Sequence, residues 1–386
     1  MIKDLFETIA LIKREIKGVA GFELVGLENA RGRVLGEDIT ARKDLPAFDN
    51  SALDGYAFAY ADKDTPLSVK GTIFAGDKGE RKITRGECYK IMTGAKMPLG
   101  ADSILRVEDA EFAGEKLLVN ASVKRNDGHR VKGEELRAGE KFMRKGRLLG
   151  TADIMALASQ GICKVRVARK VRVGVLSSGN ELVEAWENAD SDSIYNSNAP
   201  AINALLKSEL CEVSYLGIIR DDFEATKSAL ADSNYDLLIT SGGASVGDAD
   251  FMDSALIELG FAPLFTGITI RPAKPTKLYR QGSRLVFVLP GNPISAFLSC
   301  FLVGRALLGL LSGAGFEFEF INAEFKGDLK IKNERNNLIL GSLNEGKFAP
   351  STAAGLMKPF HSTHLLISDY DKSEFADGEK IKVLKI

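Results

Sequence analysis

Histidine and cysteine are scarce in this chain of 386 residues, which holds three of the first and four of the second. The cysteines, Cys88, Cys163, Cys211 and Cys300, stand far apart and form no CxxC pair. That spacing argues against zinc or iron–sulfur ligation and against a disulfide framework. Excess charge is lacking too. Lys and Arg number 51 against 52 Asp and Glu, a net charge of −1. The chain therefore has no general attraction for nucleic acid or an anionic membrane, and a polyanionic ligand has to be held by locally placed cations and backbone amides. No signal-peptide pattern opens the sequence, because charges run throughout the amphipathic stretch from Met1 to Lys17. The longest apolar run, 294–311, is interrupted by Gly304 and Arg305 and reads as a buried helix, not a membrane span. A cytoplasmic location is expected.

What remains is a soluble globular composition, 45% hydrophobic and 27% charged. The length calls for two to four domains. An amphipathic helix opens the chain, followed by short strands around 31–39. From Pro46 to about Arg137 come short β runs (67–71, 88–92, 103–107, 116–120) separated by Gly, Asp and Pro. Strand and helix return over 138–170, with Thr151 as the N-cap of a helix at 152–160. This departure and return predicts a discontinuous N-terminal domain, 1–45 and 138–170, carrying a β-rich insertion at 46–137. From Val171 strands at 171–176, 213–219, 237–240 and 285–289 alternate with helices at 199–209 and 222–231. That is the pattern of a doubly wound, mostly parallel sheet over 171–314. A small C-terminal β-barrel is expected over 315–386. The fold class is α/β multidomain.

The stretch with most chemical content is Asp236-Leu-Leu-Ile-Thr-Ser-Gly-Gly-Ala-Ser-Val-Gly-Asp-Ala-Asp250. An apolar strand ends at Thr240, a Gly/Ser turn follows, and a helix begins near Asp250. This order brings free backbone N–H groups and a helix start to the end of a buried strand, where an open α/β sheet binds phosphate. Thr240, Ser241, Gly242, Gly243 and Ser245 are the expected phosphate contacts. Asp248 and Asp250 suit Mg²⁺, which favours carboxylates beside substrate phosphates; complementing a helix N-terminus is the plainer use of both. A second turn, Leu289-Pro-Gly-Asn-Pro-Ile-Ser-Ala296, offers Pro290, Gly291 and Asn292 at another helix start, where Asn292 can cap and Pro293 fits the first position. Between the two lies Arg271-Pro-Ala-Lys-Pro275, whose Arg271 and Lys274 are cations in a proline-stiffened loop, as a bound dianion such as an oxometalate requires.

Upstream, Leu176-Ser-Ser-Gly-Asn-Glu-Leu182 is again strand then turn: Ser177, Ser178 and Gly179 can meet a phosphate or ribose, and Glu181 either holds a metal or complements a helix dipole. In Asp192-Ser-Ile-Tyr-Asn-Ser-Asn198, Asn196 or Asn198 reads first as an N-cap, with Ser193 and Asn196 as possible donors to a heterocycle. The β-rich module holds Phe48-Asp-Asn-Ser-Ala-Leu-Asp-Gly-Tyr-Ala57 and Ile91-Met-Thr-Gly-Ala95, which Asx-turns and glycine geometry explain in part.

Together with Gly133-Glu-Glu135, these motifs resemble the molybdopterin molybdenumtransferase family (MoeA, and the E domain of gephyrin) over nearly the whole chain. The resemblance implies that the α/β domain binds molybdopterin and that an elongated homodimer forms its cleft between subunits, which gives Asp54 and Thr93 a role. The implied reaction inserts molybdenum from molybdate into adenylylated molybdopterin with Mg²⁺ and releases AMP. Glu181, Asp221 and Asp250 are implied to handle the metal, and Lys274 and Arg271 to attract the oxyanion. The implied partners are the adenylyltransferase of the same pathway and molybdoenzyme chaperones. The chain departs from the pattern at Ala273, where a glycine is common, at Glu135, where an aspartate is, and in the barrel. There Leu340 stands for an arginine and Ala354 for a serine, both implied to line the molybdate site. An arginine at 340 is accordingly expected to leave the barrel folded. Other readings are a pterin-binding scaffold without catalysis, favoured by those barrel losses, and a tungstate-using homologue. A nucleotide-dependent oxidoreductase is disfavoured because no GxGxxG opens the sheet.

Overall fold

The structure, a computed structural model, describes residues 2–119, 122–231, 234–243 and 251–386. They form two compact units, one of Met1–Gly36, Gly146–Ile154 and Lys164–Ile386, the other of Glu37–Lys145 and Met155–Cys163.

The first unit is built on a six-stranded sheet. Its elements are β1 (Val171–Ser178), α1 (Asn198–Leu206), β2 (Cys211–Ile219), α2 (Phe223–Ala231), β3 (Leu237–Ser241), α3 (Met252–Glu258), β4 (Ala262–Phe265), β5 (Ile270–Arg271), β6 (Lys277–Gln281) and β7 (Arg284–Leu289). The sheet order is β2-β1-β3-β7-β6-β4, and β5 lies outside it. Strands β2, β1, β3 and β7 run parallel, β6 is antiparallel to β7, and β4 at the edge is antiparallel to β6. β1 and β3 are buried along nearly their whole length, as central strands covered on both faces must be. The chain leaves β1 toward one edge and returns on its other side at β3, so the strand order reverses there. Such a switch point leaves a crevice outside the carboxyl ends of the two strands. The expected helix ends at Leu206, three residues short of 209, where the chain turns into β2.

The apolar run at 294–311 is helical, as expected. It starts as α4 (Pro293–Ser299), passes through a π-helical turn at Cys300–Gly304 and ends as α5 (Arg305–Ser312). Asn292 caps it by accepting the Ser295 N–H at 3.3 Å, and Gly313 ends it at φ +80°. Pro293–Ser312 is long and apolar enough to cross a membrane, yet 78% of its apolar window is buried inside the protein. The N-terminal helix, Leu5–Glu15, is capped by Asp4 and adds Leu5, Ile9 and Ile12 to the same core.

After Gly313 come β8 (Phe320–Phe325), β9 (Asn336–Asn344), β10 (Lys347–Pro350), β11 (His364–Ile367) and β12 (Lys380–Lys385). Pairings β9–β10, β10–β8, β8–β12, β12–β11 and β11–β9 close a five-stranded barrel, with no free edge in the ring. The short β5 is drawn onto it and pairs with the start of β9, Ile270 with Asn336 and Arg271 with Asn337. Leu338, Leu340, Leu365 and Leu384 of the barrel belong to the same apolar cluster as the β1, β3 and β7 side chains. One expectation fails here. Leu340 is 1% exposed and paired with Leu365 inside that core, so an arginine at 340 would bury an unpaired cation.

The second unit centres on a mixed six-stranded sheet with the order Ser103–Arg106, Gly55–Phe58, Glu87–Ile91, Leu67–Ile73, Lys116–Leu118, Glu111–Ala113. Alternation along Gly55–Phe58 sends Tyr56 and Phe58 to one apolar cluster and Ala57 to another, so both faces are covered. Gly55 has no substitute, because a Cβ there would meet the Leu105 carbonyl oxygen at 2.1 Å.

Candidate functional site

Three strand ends meet at the switch point. At β1, Ser178 is nearly buried and donates its hydroxyl to Asp221 Oδ1 at 2.8 Å. The Asp221 N–H in turn donates to Asn180 Oδ1 at 3.2 Å. Glu181 leans back over Gly179, with both carboxylate oxygens 2.8 Å from where a Cβ on that glycine would stand. Ser177 is fully buried, and its hydroxyl is committed to Asn196 Oδ1 at 3.1 Å.

At the end of β3, Gly242 adopts φ +100°, and a Cβ there would lie 2.2 Å from the Ser178 carbonyl oxygen. Only glycine satisfies both the dihedral and the approach. Its N–H donates to the Leu289 carbonyl of β7 at 3.2 Å, and Gly291 packs on the Gly242 Cα. Gly243 follows at φ +67°. Thr240 and Ser241 are buried, and the Thr240 hydroxyl has no partner among the described residues. Ser245, Asp248 and Asp250 lie outside the described residues.

Asn198 ties the glycine turns together. Its Nδ2 donates to Ser241 Oγ at 2.6 Å and to the Gly291 carbonyl at 2.8 Å. Capping was the first expectation for this residue, but the nearer approximation to a cap is Asn196, whose Oδ1 also accepts the Ala199 N–H at 3.3 Å. The second turn is buried at Pro290 and exposed at Gly291 and Asn292. A side-chain amide reaching two strand ends could be suspected from the Asn-Ser-Asn spelling, but the bridge itself needs the fold.

The basic loop leaves β5 with Ala273 at φ +91°, a conformation that glycine adopts without strain and alanine does not. Thr276 fixes it by donating its hydroxyl to the Ala273 carbonyl at 2.8 Å, and the Lys274 carbonyl accepts the Ile268 N–H at 2.9 Å. The Lys274 side chain is exposed, and Arg271 is half-buried. Just beyond, buried Lys277 pairs with Asp253 of α3 at 2.8 Å.

In the second unit the Asp54 carboxylate accepts the Thr93 N–H at 2.7 Å and the Thr93 hydroxyl at 2.8 Å through the same oxygen. The backbone and then the hydroxyl bond from Thr93 hold this exposed carboxyl below the usual aspartate range. Its second oxygen carries no bond among the described residues.

Among the described residues no three His, Cys, Asp or Glu side chains gather as a metal cage. Glu181, in the turn after β1, and Asp221, in the loop after β2 and bonded to Ser178, nevertheless have no Lys or Arg partner among the described residues. Two oxygen donors without counter-ions fit a hard cation that takes its other ligands from water and substrate phosphates. A cleft of about 920 Å³ in the same unit is lined by apolar residues such as Leu206, Phe301, Phe316 and Phe318, and by none of these groups.

The fold thus defines an α/β protein whose sheet has a switch point where glycine turns meet, with the Glu181 and Asp221 carboxylates at its rim. The family described as "MoeA N-terminal region (domain I and II)" matches residues 4–161, and "Probable molybdopterin binding domain" matches 174–308. The molybdopterin molybdenumtransferase of Haemophilus influenzae is 36% identical over 75% of this chain and 73% of its own length. That of a Nostoc species is 30% identical over 100% of this chain and 93% of its own. The crystal structure of a molybdopterin biosynthesis MoeA protein from Pyrococcus horikoshii OT3 superposes with a TM-score of 0.83 at 27% identity, covering 100% of both chains. The chain belongs to the molybdopterin molybdenumtransferase family, and is an enzyme of molybdenum cofactor biosynthesis.

Proposed function

We propose that the enzyme inserts molybdenum from molybdate into adenylylated molybdopterin and releases AMP in a Mg²⁺-dependent reaction. The observation that carries the reading is the seam at the switch point, where Asn198 joins the Ser241-Gly242 turn to Gly291 beside the Glu181 and Asp221 carboxylates. Backbone amides of the glycine turns would hold the substrate's phosphates. Glu181 and Asp221, with Asp250, would hold Mg²⁺, which when bound neutralises charge developing on the departing phosphate. Ser178 keeps Asp221 oriented toward the strand end. Lys274 and Arg271 would attract the oxyanion, and Asp54, kept ionised by Thr93, would act on the reacting group through its unbonded oxygen. The same reading carries with it a cytoplasmic homodimer, partnered by the adenylyltransferase of the pathway and by molybdoenzyme chaperones.

AMP release from adenylylated molybdopterin, measured with Mg²⁺ and with or without molybdate, tests this. Molybdate-dependent release is expected. Tight pterin binding with no release under any condition would favour a second reading, a pterin-binding scaffold, for which Ala354 in place of a serine speaks. Release that responds to tungstate and not to molybdate would make this a tungstate-handling enzyme, since the two anions share charge and shape.

A further inference from the structure

The chain has a single tryptophan, and it lies outside every core. Trp186 is 76% exposed and makes no ring or cation contact among the described residues. Exposure alone says little, since lone apolar side chains are common on surfaces. The placement of this one says more.

Trp186 stands on a strap, 184–193, whose two ends are rooted at the switch point. Leu182–Val183 pairs in parallel with Ile194–Tyr195. The Ile194 N–H donates to the Glu181 carbonyl at 2.8 Å, and the Asn196 N–H to the Val183 carbonyl at 2.9 Å. Asn196, already bonded to Ser177, donates its Nδ2 to the Tyr215 hydroxyl at 2.8 Å, and that hydroxyl donates to Glu184 Oε1. Within the strap the Glu184 N–H donates to Glu187 Oε2 at 2.8 Å, and the Glu187 N–H to the Glu184 carbonyl at 3.0 Å. These two bonds close a turn with Ala185 and Trp186 at its tip. The indole is therefore carried on a fixed turn that hangs from β1 and β2, beside the residues of the crest.

Charge selects the part of a ligand that can meet it. From Glu181 to Ser193 the sequence holds Glu181, Glu184, Glu187, Asp190 and Asp192 and no Lys or Arg. None of the five has a Lys or Arg partner among the described residues. A strap of this sign repels phosphate, and it favours a neutral ring whose amino groups donate to carboxylates. An indole adds a flat face on which such a ring stacks.

We propose that Trp186 is the stacking face for a flat, amino-bearing bicyclic ring, the pterin or the adenine of the substrate. The ring lies under the acidic strap, and the phosphates point away from it toward the glycine turns. This rests on the proposed function, which supplies a ligand with both rings.

Because there is one tryptophan, its fluorescence reports this position in the unaltered protein. Acrylamide quenching is measured on the protein alone and with AMP, hydroxymethylpterin diphosphate or pyrophosphate, each ligand's binding being followed by equilibrium dialysis. At least one ring ligand is expected to shield the indole, and the one that does so names the ring. Pyrophosphate, which has no ring, is expected to leave quenching unchanged. Trp186→Ala is expected to weaken binding of the shielding ligand about tenfold or more and to leave pyrophosphate binding as it is. The same variant should raise KM for adenylylated molybdopterin while kcat holds, and Trp186→Phe should recover most of the loss. Ring ligands that bind without shielding the indole, or shielding by pyrophosphate as strong as theirs, overturn this inference and leave the proposed function standing. So does a Trp186→Ala enzyme whose KM stays within about twofold of the parent. A parent protein that binds none of the three ligands and releases no AMP from adenylylated molybdopterin overturns both.

Discussion

The crest of the α/β sheet and the seam on the barrel are built from different materials. The crest uses backbone: glycines whose missing Cβ lets three strand ends touch, hydroxyls, and one asparagine joining them. The barrel seam keeps the Arg271 charge, oriented by the neutral oxygens of Lys332 and Asn337. Backbone amides suit a ligand whose phosphates arrive at fixed spacing, and their geometry is set once the strands are. Loop cations suit a small, freely diffusing dianion, because long-range attraction gathers it and the fork orients it. Damage at the crest should therefore be all-or-none, and damage at the seam graded.

The largest expected effect is at Gly242. Gly242→Ala places a Cβ 2.2 Å from the Ser178 carbonyl oxygen at φ +100°, and is expected to cost AMP release more than about a hundredfold, with about 2–3 kcal/mol of stability lost in a urea titration. Leu340→Arg should not touch the chemistry first but the fold. Burying an unpaired guanidinium in the barrel core is expected to cost about 3–5 kcal/mol, visible as loss of cooperative melting. A fully folded Leu340→Arg enzyme would mean that the core beside Ala273 and Leu365 can open, and would undo the contrast between packed core and charged seam.

Asp54→Asn is expected to lower kcat about a hundredfold with no change in melting temperature, since the carboxyl is exposed and its partner Thr93 can still bond an amide oxygen. Because Thr93 depresses this carboxyl, its stabilising bond is complete above the unfolded aspartate range and is lost as pH falls through the lower folded value. A pH–rate profile whose acid limb reflects Asp54 should therefore break below the ordinary aspartate range, and a break above it would rule Asp54 out as the group responsible.

The smallest effect probes a region outside the site. Asp236 sits at the start of β3 under the bidentate guanidinium of Arg169, with bonds of 2.7 and 2.8 Å. Burial pushes this carboxyl up, but Arg169 and the Arg172 amide outweigh it and the net shift is downward. Asp236→Asn is expected to cost about 2 kcal/mol at neutral pH. That difference should shrink as pH falls through the depressed pKa, since the parent then loses the same charge. A constant difference across acid pH would mean that the pair contributes by packing alone.

Much of this was legible from residue types. Alternating strands and helices, the Asn292-Pro293 helix start and the buried run at 294–311 follow from periodicity and capping chemistry, and the structure agrees to within a few residues. The glycine turns could be read because a buried strand running into Gly-Gly has little use for two missing side chains except a close backbone approach. The barrel seam could not. Leu340 looks like a lost arginine when strands are matched by residue order alone, yet a strand position one residue either way faces the opposite side, and only the pairing with Leu365 reveals that this one faces inward. Asn337 gave no signal, since a lone asparagine has no spacing rule. Asn198 was visible only as a helix start, because its two partners lie 43 and 93 residues away.

The strand Ile270–Arg271 precedes α4 and α5 in the sequence, yet its ladder partner lies at Asn336–Asn337, beyond them. The barrel and the α/β part of this unit therefore share one piece of ladder and one apolar core. A chain cut after Gly315 would strip the partner from β5, bare the apolar side chains that Leu338, Leu340, Leu365 and Leu384 cover, and release Arg271 from its anchor. A substitution in the barrel core is thereby also a substitution in the core of the sheet.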